Sequence, residues 1–140
     1  MVKKTRFVFN KLTRDKVRQN FDAAKADIEC ENLTGSALLK ALKEKILEES
    51  QEVFDAKNNA ELIEEIADVQ EVIRVLLKTA NISEEEVAKA QADKLQKRGS
   101  FEEGLFIHYG DIPIDNYWHE YCMNAPKKYP IIKQIDEKEE

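Results

Sequence analysis

Apolar residues recur at helical spacing along three stretches of this chain. Leu38, Leu39, Leu42, Ile46, Val53 and Phe54 repeat at steps of three, four and seven, which predicts a helix over roughly residues 37–57. Asn58 and Asn59 interrupt it. A second helix, over roughly 60–79, carries Leu62, Ile63, Ile66, Val69, Val72, Ile73, Val75, Leu76 and Leu77. Its second half is apolar most of the way round, and a helix of that kind is normally covered on several sides. So short a chain has few helices to cover it, so a subunit interface is the expected second cover. Ser83 followed by Glu86 is a capping box that starts a third helix near residue 84. That helix runs to Arg98 and stops at Gly99, a good helix-ending glycine.

Weaker patterns flank these helices. A short helix is expected over 14–21, capped by Asn10 or Thr13. Alternation in 6–12, 27–33 and 105–112 suggests short strands or extended arms. Residues 101–140 differ in kind. They hold all three prolines, Trp118, both histidines, and Tyr117 and Tyr121, a packing cluster expected to pin this tail. The last eight residues are expected to be solvated. The fold expected is all-α: a helical bundle with short accessory strands, completed by oligomerisation into a dimer or tetramer. One domain is expected over 1–140, with a variable tail from about 108.

Composition narrows the function. At 140 residues, 36% charged and 42% hydrophobic, the usage is that of a helix-rich globular chain. The net charge of −6 argues against a broad nucleic-acid face but leaves room for a local cationic cluster that holds a nucleotide. No apolar run approaches the ~20 residues that span a bilayer, so no membrane partner is expected, and the expected location is the cytoplasm. Cys30 and Cys122 have no metal-site spacing and read as buried or idle thiols; His108 and His119 have no acid or cysteine in ligand spacing and read as structural or surface residues. Phe7, Phe9 and Phe101 read as core packing ahead of base stacking.

Two acidic pairs carry the chemistry. Glu49 and Glu52 are spaced i, i+3, as are Glu65 and Asp68, so each pair lies on one helix face. Twelve residues separate Glu52 from Glu65, enough for a helix end, a turn and a helix start. A helix hairpin would bring the pairs together. The bland alternative is a pair of solvated faces, but Ile46, Leu47, Val53, Ile66, Ala67 and Val69 embed these acids in apolar surroundings. Converging carboxylates repel and raise one another's pKa. A hard divalent cation with oxygen ligands resolves that conflict, Mg²⁺ above all, with Mn²⁺ as a substitute.

The motif Glu49-Ser-Gln-Glu52, twelve residues, then Glu65-Ile-Ala-Asp68 resembles the metal motif of the all-α nucleoside triphosphate pyrophosphohydrolases, the MazG-like superfamily. NKLTRDKV (10–17) is similar to the opening of a phosphoribosyl-ATP pyrophosphohydrolase-like, house-cleaning branch, and KLQKRGSFEEGLF (94–106) to a later segment of the same branch. Thr13 and Arg18 depart from the opening's usual hydrophobic residue and proline. The resemblance implies Mg²⁺-dependent cleavage between the α and β phosphates of a nucleotide, giving a monophosphate and pyrophosphate. It carries over Glu49, Glu52, Glu65 and Asp68 as metal ligands. Glu48 and Glu49 are the candidates to take a proton from water, and Glu49, through a bound water, is preferred. Lys94, Lys97 and Arg98 are candidates for the phosphate chain, and Lys11, Arg14 and Lys16 form a second cationic cluster, with Asp15 placed to pair within it. The expected substrate is a non-standard nucleoside triphosphate. The rivals are a phosphoribosyl-ATP pyrophosphohydrolase of histidine synthesis and a non-catalytic helical interaction module.

Overall fold

Five helices form in the computed structural model, which describes residues 3–136. They are α1 (Val17–Ala23), α2 (Gly35–Asp55), α3 (Asn59–Ala80), α4 (Glu84–Arg98) and α5 (Tyr117–Met123). The chain divides into two compact units, Met1–Lys97 and Arg98–Glu140. The fold is all-α, as expected.

The first unit is built on the α2–α3 hairpin. A three-residue connection forces the two helices antiparallel. Asn58 acts as a start signal: its side chain accepts the Glu61 N–H (2.9 Å) and satisfies a donor that would otherwise be orphaned. Asn81 ends α3 in the left-handed region at φ 58°. The N–H groups of Asn81 and Ile82 then donate to the carbonyls of Lys78 and Leu77, a Schellman closure. At α4 the capping box is formed in both directions. Ser83 Oγ accepts the Glu86 N–H (3.1 Å), and Glu86 accepts the Ser83 N–H (2.7 Å). The Ser83 N–H holds the Glu86 carboxyl below its ordinary range. Every residue of α4 is exposed, so this cap matters more than it would on a packed helix. Ser83→Ala is expected to cost α4 about 1 kcal/mol, read as faster amide exchange over residues 84–90 with α2 and α3 unaltered.

The accessory strands do not form among the described residues. Segments 6–12, 27–33 and 105–112 are irregular. A ladder needs a partner strand, and side chains hold the first two segments instead. Arg18 of α1 donates to Cys30 Sγ (3.1 Å) and Asn32 Oδ1 (3.3 Å). Lys4 pairs with Asp27 (2.6 Å), and Phe9 stacks edge-on against Phe21 with centroids 5.8 Å apart. The first helix starts later than expected, at Val17. Neither Asn10 nor Thr13 caps it, because Asn10 makes a left-handed turn at φ 45° and Lys16 takes the cap position without a side-chain bond.

In the second unit, α5 has no counterpart in the hydrophobic pattern. Asn116 caps it by accepting the Trp118 N–H (2.9 Å). The expected aromatic cluster is present: Trp118 and Tyr121 meet edge-on at 5.3 Å, and Tyr129 lies 5.8 Å from Tyr121. The last four residues of the expected solvated end lie outside the described residues.

Burial is sparse. Among the described residues, Leu42, 4% exposed, is the buried apolar residue of the core. Leu47 and Phe54 on α2 and Ile63 on α3 are 73%, 83% and 68% exposed, so the hairpin leaves large side chains uncovered. Phe7 and Phe101 are not packed in a core either, at 72% and 99%.

Candidate metal centre

Helix α2 carries Glu48, Glu49 and Glu52, and α3 carries Glu65 and Asp68. The hairpin sets one carboxylate oxygen of Glu49, Glu65 and Asp68 within 4.8 Å of one another. All three residues are half-buried. Glu52 is exposed and stands outside this trio, although its charge still acts on Glu65. The structure therefore brings together three of the four expected ligands, with Glu52 at the rim.

The electrostatics explain why the trio invites a cation. Glu65 is pushed above the ordinary carboxylate range, first by desolvation and then by the charges of Glu52, Asp68 and Glu49. Among the described residues no lysine or arginine pairs with Glu65 or Glu52. The neighbouring acids are partnered. Lys45 lies 3.1 Å from Glu48 and 3.3 Å from Glu49. Lys11 donates to Glu48 (2.9 Å), and Arg14 pairs with Asp68. Glu48 is consequently held below its ordinary range, with the Lys11 hydrogen bond the leading cause. Five carboxylates stand against three cations, a surplus of two negative charges. Oxygen-only donors with that surplus fit a hard divalent ion.

Lys45 was not among the residues singled out for the site, although its i+3 and i+4 spacing to Glu48 and Glu49 is a readable ion-pair signal. Arg14 and Lys11, expected as phosphate ligands, are drawn instead to carboxylates 54 and 37 residues away. Asp15 is not Arg14's partner. Lys16, Lys94 and Lys97 are exposed and in none of the described ion pairs. In the second unit, the Arg98 guanidinium lies over the rings of Trp118 and Tyr121, at 5.9 and 5.7 Å. Tyr121 is held below the usual phenol range, first by its bond with Tyr129 and then by Arg98.

The sequence model of the phosphoribosyl-ATP pyrophosphohydrolases matches residues 14–95, more than half of the chain. The chain belongs to the phosphoribosyl-ATP pyrophosphohydrolase family. No curated protein matches it, and no solved structure does. The match takes in Arg14, Lys45, the trio, Glu52 and Lys94, and leaves Lys11, Lys97 and Arg98 outside. As a phosphoribosyl-ATP pyrophosphohydrolase family member within the MazG-like superfamily, this is a hydrolase of phosphoric anhydrides. The family is generally divalent-metal dependent, and the trio is an acidic cluster with the oxygen donors that a divalent ion takes. The family thus favours a catalyst over the interaction module. Among the described residues no helix is long and apolar enough to cross a membrane.

Proposed function

We propose that this protein is a Mg²⁺-dependent nucleotide pyrophosphohydrolase that cleaves the α–β phosphoanhydride bond, releasing a monophosphate and pyrophosphate. The observation that carries the reading is the approach of Glu49, Glu65 and Asp68 across the α2–α3 hairpin. These residues, with Glu52 at the rim, would hold the ion; Mn²⁺ would substitute. When bound, the ion supplies charge neutralisation and orientation of the phosphate oxygens. The chain's own residues do the rest. Glu49, on the buried side of α2, takes the proton of the attacking water. Glu48 is the poorer base, because Lys11 holds it in addition to the Lys45 that both acids share. Lys45 keeps Glu49 in place. Lys16, Lys94 and Lys97, in none of the described ion pairs, supply cations for the phosphate chain, and Lys11 and Arg14 join them only on leaving Glu48 and Asp68. Phosphoryl transfer asks a protein mainly for this positioning and charge stabilisation.

Two substrates compete. The resemblance of 10–17 and 94–106 to the house-cleaning branch favours a non-standard nucleoside triphosphate, and much of both segments lies beyond the family match. The description of the matching family favours phosphoribosyl-ATP. Pyrophosphate release from phosphoribosyl-ATP and from a panel of standard and damaged triphosphates, with and without Mg²⁺, separates them. No Mg²⁺-dependent release from any would remove the proposal.

Arg98 has its own test. Arg98→Ala is expected to raise KM by about tenfold or more, the loss of one charge-assisted bond, and Arg98→Lys to recover part of it, because an ammonium cannot copy the guanidinium fork. An unaltered KM with a lowered melting temperature would leave Arg98 to the aromatic cluster alone.

A further inference from the structure

The segment before α1 is held on the hairpin at two points. Lys11 bonds Glu48, and three residues later Arg14 bonds Asp68, one of the trio. The segment has no helix or strand, and the Arg14 side chain is 65% exposed. Asn10, in its left-handed turn, separates these contacts from the Phe9–Phe21 stack that anchors the segment to α1. Arg14 can therefore leave Asp68 without disturbing the α2–α3 core. A guanidinium is permanently charged, and its planar fork suits a carboxylate and a phosphate equally well. A divalent ion at the trio needs the Asp68 oxygens and is repelled by a cation already there.

We propose that Arg14 is a built-in counter-ion of the metal-free centre: it neutralises Asp68 until a divalent cation takes that carboxylate, and it is then handed to the phosphates of the incoming nucleotide. The inference rests on the metal-centre reading above and adds a competition within it. A metal-binding form that is only part of the population lowers apparent affinity by its fraction, and removing the competitor restores it. Linkage makes this reciprocal: what Arg14 takes from metal binding, metal binding takes from the Arg14–Asp68 pair. The same side chain should thus oppose Mg²⁺ and favour nucleotide, whereas a residue that merely braces Asp68 would favour Mg²⁺.

The test is calorimetric titration of Mg²⁺ alone into wild type, Arg14→Ala and Arg14→Gln, followed by KM for the nucleotide at saturating Mg²⁺. Both variants should bind Mg²⁺ about threefold or more tightly than wild type, as expected for loss of an exposed ion pair and of one opposing charge. Their KM should move the other way, rising about fivefold or more. Unchanged or weaker Mg²⁺ binding in both would overturn the counter-ion. Tighter Mg²⁺ with unaltered KM would overturn the hand-over. If wild type binds no Mg²⁺, the metal centre falls and takes this inference with it; if wild type binds and the variants only match it, the metal centre stands and the counter-ion alone falls.

Discussion

Glu65→Gln should lower kcat/KM by more than about a hundredfold, because even the outer partners of metal ligands are worth about 10- to 100-fold. The same change should stabilise the metal-free protein at neutral pH. Glu65 is raised in the fold by desolvation and by its acidic neighbours. A carboxyl raised in the folded state contributes stability below the ordinary carboxylate range and loses it as pH rises through the raised value. At pH 7 wild type therefore carries the penalty and the amide does not, so the variant's melting temperature should be higher. The gap should close as pH falls well below the ordinary carboxylate range, where the carboxyl is protonated in both states. Glu48 has the opposite sign. Held low by Lys11 and Lys45, it contributes stability above the ordinary range and loses it on acidification through its lowered value. Mg²⁺ should raise the melting temperature of wild type and leave Glu65→Gln nearly unmoved. Melting curves with and without Mg²⁺, from about pH 3 to 8, read all of this. Full activity in the variant would remove the metal centre, and a lower metal-free melting temperature at pH 7 would remove the repulsion account.

Ile63→Asp is the second decisive change. In a lone chain, substitution at so exposed a position shifts stability by no more than about 0.5 kcal/mol. We propose instead that Ile63, with Leu47 and Phe54, meets another copy of the chain, because the hairpin buries little besides Leu42. Wild type should then scatter light as a dimer or tetramer of the 16.2 kDa chain. Ile63→Asp should shift the mass toward 16.2 kDa and lower stability by several times the surface value, since a charge would be desolvated in the interface. A wild-type mass of one chain at micromolar concentration would overturn the assembly, and so would an assembled Ile63→Asp with wild-type stability.

Elements whose signals are local were legible in the chain before any contact was known. Apolar spacing places α2 and α3 to within about two residues, and Ser83 with Glu86 places the start of α4, because one turn of backbone contains all the partners involved. The i, i+3 pairs likewise set Glu49 and Glu52, and Glu65 and Asp68, on single faces before any tertiary contact. Helix α5 escaped because seven residues leave too short an apolar pattern, and its start depends on one asparagine cap. The strands failed for the converse reason. Alternation is a local property, but a ladder requires a distant partner, and Arg18, Lys4 and Phe9 gave those segments other attachments. Which acids converge depends on the packing of α2 against α3. Helix rotation within the hairpin admits Glu49, Glu65 and Asp68 and leaves Glu52 at the rim, a difference that spacing cannot express. That packing also decides where the arm's cations go, since Lys11–Glu48 and Arg14–Asp68 join residues far apart in the chain and exist only because the fold gathers a surplus of negative charge at one place.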